Sequence, residues 1–149
     1  MQEKELDEAN QENSFQIAQS LQKTLLHMLE LFPQNAWVHA HYGNWAWTQD
    51  DFPLAEKHLM LAKKFKQIYP WASFRLGVVY QTQKKWHLAL SSFKEGLKYE
   101  PKNSWAIQQI GLTFEKLGKN SEAIEQYEWL MLNTSAKVIV INRLTSLYW

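Results

Sequence analysis

No cysteine occurs anywhere in the 149-residue chain. Disulfides, thiolate metal centres and cysteine-based redox chemistry are therefore excluded, while the compartment stays open. Charge of one sign is equally lacking. Sixteen Lys and Arg against fifteen Asp and Glu leave a formal net charge of +1, which gives no pull toward nucleic acid, membrane surfaces or acidic polymers. Long hydrophobic runs are missing too. The apolar stretch at 138–141 is far too short to span a bilayer. The opening residues, MQEKELDEANQENS, lack the basic start and apolar core of a secretory leader. A soluble cytoplasmic protein without membrane insertion is the expectation. Glycine is scarce, at five residues, and there is no H-E-x-x-H, G-x-S-x-G or Walker-type loop. His39 and His41, two apart on a helix, point in different directions and cannot share a metal. No enzyme, no cofactor and no metal site is expected.

What the chain does have is a period. Trp37, Trp71 and Trp105 are spaced at thirty-four residues, as are Gly43, Gly77 and Gly111, and Ala55, Ala89 and Ala123. Three columns on one period mark a helix–turn–helix unit that stacks into a solenoid. The composition, 46% hydrophobic and 14% aromatic, is rich enough for one domain with a real core. Residues 1–13 read as a flexible polar tail. From Ser14 to Phe32 the apolar positions follow a helical period, and Pro33 ends that helix with Gln34 and Asn35 as turn and cap residues. Three full units follow at 36–69, 70–103 and 104–137, each helix A, polar turn and helix B. Residues 138–149 have the length and pattern of one more helix A, so that 14–149 forms a single repeat domain.

On these columns the chain resembles the tetratricopeptide repeat (TPR) proteins. The second unit supplies Leu76, Gly77, Tyr80, Ala89, Phe93, Gly96 and Pro101 at the family's positions 7, 8, 11, 20, 24, 27 and 32, a full match. The third supplies Ile110, Gly111, Phe114, Ala123 and Tyr127, then departs at Leu130 and Ser135. The first has Tyr42, Gly43, Ala46, Ala55, Leu59 and Ala62, with Gln67 in place of proline. The resemblance covers 14–149. It implies an all-α fold, a right-handed superhelix (α-solenoid) of three TPR units with an extra helix at each end. Pro33 falls in register, so 14–32 looks like the helix B of an earlier unit. The family is defined by architecture, so the resemblance says little about function.

With position 11 of helix A as the core direction, positions 2, 6, 9 and 13 lie roughly opposite. In a superhelix of this type that face lines the concave groove. Position 2 holds Trp37, Trp71 and Trp105. Position 6 holds His41, Arg75 and Gln109, with Arg143 in the last helix. Position 9 holds Asn44, Val78 and Leu112. These are the candidate peptide-binding residues, since tryptophan and arginine are the types that most often anchor interfaces. The implied ligand is an extended or helical peptide with apolar side chains and some negative charge. An alternative stands beside this one. The family carries its tryptophan at position 4, here His39, Ser73 and Ile107, and a small shift would swing the position-2 indoles inward to pack as core. The family's two-carboxylate clamp is not met, because of its slots only Asn44 matches among Ala40, Asn44, Arg75, Trp105 and Gln109.

Two other surfaces bear on partners. Lys63, Lys64, Lys66, Lys84 and Lys85 read as a solvated helix face, so no nucleic acid is expected. The C-terminal VIVINRLTSLYW leaves little polar surface for a terminal solenoid helix. Truncation from a longer array, homo-oligomerisation through the C-terminal helix, or a docked partner would each account for it. The expected function is protein–protein interaction, as an adaptor, scaffold or chaperone holding a partner's segment. A docking fragment of a larger assembly factor or enzyme is the alternative.

Overall fold

The computed structural model describes residues 2–135 and 137–148, with side chains described for 10–135 and 140–148. Eight helices are present: α1 (Gln2–Leu31), α2 (Ala36–Thr48), α3 (Phe52–Phe65), α4 (Pro70–Thr82), α5 (Trp86–Leu97), α6 (Ser104–Lys116), α7 (Asn120–Asn133) and α8 (Lys137–Tyr148). No strand occurs among the described residues. None of these helices is long and apolar enough to cross a membrane. Helices α2 and α3, α4 and α5, and α6 and α7 pair as hairpins.

Contacts divide the chain into two compact units, Met1–Phe65 and Lys66–Trp149. Asn35 and Asn103 cap α2 and α6 by accepting from Val38 and Ala106, but the same register position before α4 is Tyr69, which makes no side-chain cap bond. Gln67 also replaces the proline that stiffens the other links at Pro33 and Pro101.

Each hairpin closes on the same device. Position 8 of helix A is glycine because helix B leaves no room for a side chain. A Cβ on Gly77 would stand 2.5 Å from the Phe93 ring, one on Gly111 2.7 Å from Tyr127, and one on Gly43 2.9 Å from Leu59. Those three partners form the position-24 column, and Leu59, Phe93 and Tyr127 are fully buried with Ala55, Ala89 and Ala123 beside them. The turns repeat as well. Asp50, Lys84 and Gly118 occupy one register position and all have positive φ, 59°, 59° and 70°. The following N–H groups of Asp51, Lys85 and Lys119 reach back to the carbonyls of Ala46, Tyr80 and Phe114 at 3.0, 2.8 and 2.9 Å. This bond and its inner companion form the Schellman closure of a helix C-terminus.

Helix α1 begins at Gln2, where the sequence reading expects a flexible tail over 1–13. Residues 2–13 contain neither glycine nor proline and are dominated by Glu, Gln, Lys, Ala and Leu, strong helix formers that extend a helix already nucleated on its packed C-terminal half. That half is anchored by Leu25, which is buried, and by Trp45 Nε1–H donating to the Ala18 carbonyl at 3.2 Å. At the other end, α8 packs on α7 through buried Val140 and Leu144. The expected apolar C-terminal patch is thus partly covered, although Ile141 and Tyr148 remain exposed. Trp149 and the side chains of Val138 and Ile139 lie outside the described residues.

The first unit buries a histidine pair. His39 Nδ1 and His58 Nδ1 are 3.0 Å apart, and His39 Nε2 is 3.0 Å from the Pro33 carbonyl. A carbonyl only accepts, so His39 Nε2 carries the proton and the His39 Nδ1 lone pair accepts from His58 Nδ1–H. Burial, then electrostatic interaction with His39 and Lys57, pulls the His58 imidazole from 6.5 down to about 4. The unfolded chain takes up this proton near pH 6.5 and the folded chain only near 4. Stability therefore falls as pH drops through that window and is flat on either side.

Two outcomes follow from this packing. Gly77→Leu destabilises the chain by about 1–3 kcal/mol through overpacking against Phe93, read as a lower urea midpoint at unchanged slope. Chemical denaturation between pH 7 and 4 shows a loss of stability assignable to His58, and His58→Gln removes most of that slope.

Candidate peptide-binding surface

In the second unit the start of α4 and the start of α6 converge. Trp71, Phe74, Arg75, Asn103 and Trp105 line a pocket of about 300 Å³. Phe74 forms its floor, buried because Gly96 on α5 makes room for it; a Cβ there would stand 2.2 Å from the Phe74 ring. Trp105 leans on this floor, edge-on to Phe74 at 6.1 Å and to Phe93 at 5.9 Å between centroids. The Arg75 guanidinium lies over the Trp71 ring at 5.1 Å, and Tyr69 stacks against the same indole. Asn103 is spent on structure: its Oδ1 caps α6 by accepting from Ala106, and its Nδ2 donates to Glu100 at 2.8 Å.

Electrostatics single out Arg75. Its side chain is half-buried, and desolvation lowers its pKa from the usual guanidinium value. No carboxylate among the described residues pairs with it; ion pairs elsewhere include Lys119 with Glu122 and Arg143 with Glu115. The N-terminus of α6 adds partial positive charge at the same pocket. An anion entering here would meet the Arg75 fork of donors lying over the Trp71 indole.

The residues expected from sequence distribute unevenly. Trp71, Arg75 and Trp105 come together in this pocket. Val78, Gln109 and Leu112 are half-buried and do not line it. The Gln109 carbonyl accepts from Gln81 and from Thr113, tying α6 to α4. Arg143 does not line this pocket. Its guanidinium donates to Glu115 Oε2 at 3.2 Å, while Glu115 Oε1 accepts from the buried Tyr127 hydroxyl at 2.5 Å. Burial and that carboxylate push the Tyr127 pKa upward. The α6 side chain one turn past the core simply reaches the next helix A before any ligand does. In the first unit, Trp37 is 51% exposed with its ring 4.0 Å from that of His41. Asn44 is half-buried there, and its Oδ1 is sealed from solvent without a protein donor.

The position-2 indoles are thus neither core nor free-standing. Trp105 is 42% exposed and Trp71 half-buried, each resting one face on the protein. Sequence reasoning missed Phe74 and Asn103. The signal for Asn103 was the capping column it shares with Asn35; for Phe74 it was the compensating pair of a large residue at position 5 with glycine at position 27.

Comparison with known proteins agrees with this geometry. The first TPR domain of Spaghetti (RPAP3), solved bound to an HSP90 peptide, superposes with a TM-score of 0.71 at 20% identity, over 77% of this chain and 91% of that one. The chain has the tetratricopeptide-repeat fold. The pilF protein of Pseudomonas aeruginosa matches with a TM-score of 0.79 at 19% identity, over 90% of this chain and 61% of that one. No family model matches the sequence. Among curated proteins, the probable UDP-N-acetylglucosamine–peptide N-acetylglucosaminyltransferase SPINDLY of Arabidopsis thaliana is 34% identical over 85 residues, 56% of this chain. The chain spans only 9% of that enzyme's length.

Because one face of each indole already rests on the protein, Trp71→Ala and Trp105→Ala each cost about 2 kcal/mol or less in urea unfolding, against about 3–5 kcal/mol for Phe93→Ala.

Proposed function

We propose that this TPR chain is a protein-interaction module whose second unit receives a partner segment at the pocket of Trp71, Arg75 and Trp105. The feature that carries the reading is a half-buried guanidinium without a carboxylate partner among the described residues, lying over the Trp71 indole in a pocket that the partly exposed Trp105 also lines. A partly desolvated guanidinium is stabilised by an incoming anion more than a fully solvated one would be, because fewer waters compete for it. The segment that suits it carries an apolar or aromatic side chain for the indole walls and a carboxylate one or two residues away. An extended strand and a helical turn both present that pair. The pocket holds no described group of three or more metal-ligating side chains and no nucleophile paired with a base, which favours binding over catalysis.

A docking segment within a larger protein is the second reading. It is favoured by the 85-residue similarity to one stretch of a much longer enzyme. Adaptor, scaffold and chaperone roles all use the same pocket and differ in what is attached to it.

An array of short peptides pairing an aromatic or aliphatic residue with Asp or Glu tests the reading, with tryptophan fluorescence as the readout. Peptides carrying the carboxylate bind about 10–100-fold more tightly than their amides, and Arg75→Glu with Trp71→Ala abolishes capture while helical circular dichroism is retained. Equal binding by acid and amide forms, or capture unaffected by the double variant, would place recognition elsewhere on the chain.

A further inference from the structure

The contact between Arg75 and Trp71 is one end of a longer run. Tyr69 stacks on the Trp71 indole at 6.2 Å between centroids and 29° between planes. The Lys66 ammonium stands 5.1 Å from the centre of the Tyr69 ring, within the range of cation–π attraction. Cation, ring, ring and cation thus follow one another from Lys66 to Arg75, all within the unit Lys66–Trp149. The sequence builds this run locally. Pro70 disfavours the helical conformation for the residue before it, and Tyr69 stands outside α4 at φ −139° and ψ 75°. Its side chain makes no capping bond, so the ring is left to pack on Trp71, and burial raises its hydroxyl pKa. Two other lysines lie over rings, Lys85 over Tyr80 and Lys94 over Phe114. Tyr80 and Phe114 are buried in the core, and those lysines cover it with their stems. Lys66 is exposed at the outer end of a run that leads into the pocket. No carboxylate among the described residues pairs with it.

Building on the pocket as a peptide site, we propose that Lys66 and Tyr69 form its second half and that the partner segment is diacidic, with a carboxylate on each side of an apolar or aromatic residue. One carboxylate meets the Arg75 fork and the other meets Lys66 as a point charge. Two cations without described counter-ions at the ends of one aromatic run favour a segment that is anionic at both ends and repel one that carries lysine or arginine there. The run from Lys66 to Arg75 is crossed by at most about five residues of extended chain, so an acid–x–apolar–x–acid segment spans it. Lys66 and Tyr69 lie outside the slots of the family's two-carboxylate clamp, and the acids here are side chains of an internal segment.

Five-residue peptides capped at both ends, with a central Leu and Ser spacers, test this. They carry Glu at both ends, at either end or at neither, with Gln in the vacant places, and are titrated into the full chain by tryptophan fluorescence. The diacidic peptide binds about 3–5-fold more tightly than either monoacidic one. Lys66→Gln and Tyr69→Leu each remove that gain, while Lys66→Arg and Tyr69→Phe keep it. The gain is a ratio of two Kd values within one variant, so a loss of stability that weakens both peptides alike does not imitate it. Equal binding of diacidic and monoacidic peptides, both lost in Arg75→Gln, overturns the proposal and leaves the peptide site standing. A gain that survives Lys66→Gln or Tyr69→Leu overturns it as well. No binding of any acidic peptide overturns the peptide site itself, and the proposal with it.

Discussion

Each hairpin of this protein depends on a missing side chain. Glycine at position 8 lets helix A lie against the position-24 residue of helix B, and the Gly43–Leu59, Gly77–Phe93 and Gly111–Tyr127 contacts all stand closer than any real Cβ tolerates. That approach places the alanine column at zero exposure and lets the position-24 side chains fill the space between helices without voids. The tight turn follows from it. Two helices this close must be joined by a chain that reverses at once, which the positive-φ residue and the paired backward hydrogen bonds accomplish. Gly118 meets the requirement freely, whereas Asp50 and Lys84 hold it at a steric cost of about 1 kcal/mol.

The candidate site is a by-product of the same packing. In the second unit the position-27 residue is also glycine, and the room it leaves is taken by Phe74. Phe74 then supports Trp105, and the α4 turn carrying Trp71 and Arg75 faces them across open space. In the first unit the same register positions are Ala40 and Ala62, both fully buried and small. No aromatic floor is built there, and the polar interest of that unit moves inward to His39 and His58. The electrostatic character of the two units therefore diverges: one buries a histidine pair, the other leaves a guanidinium partly desolvated without a counter-ion among the described residues.

Arg143 illustrates how competition decides a residue's role. Its register matches that of Arg75, yet it is bound to Glu115, which also accepts from Tyr127. A helix-A side chain at position 12 reaches the next helix A near position 6, as Gln81 does to the Gln109 carbonyl. Here position 12 is Glu115, and Arg143 at position 6 pairs with it while staying partly exposed. Register alone carries no information about this, because the neighbour that captures the group lies twenty-eight residues away.

The sequence by itself determined the hairpins: their helices, turns, caps and close contacts. All of these rest on residues within one thirty-four-residue period, where short-range sterics leave few alternatives. The glycine and alanine columns, Asn35 before α2 and the polar turns were legible for that reason. Tertiary structure alone decided what the side chains off the core do. Whether Trp105 packs or points outward, whether Arg75 keeps a free fork, whether His39 finds His58, and how far α1 runs beyond its packed half depend on groups brought in from distant positions. There the energy differences between alternatives are small, about one hydrogen bond or part of one buried ring, and only the assembled neighbours tip them.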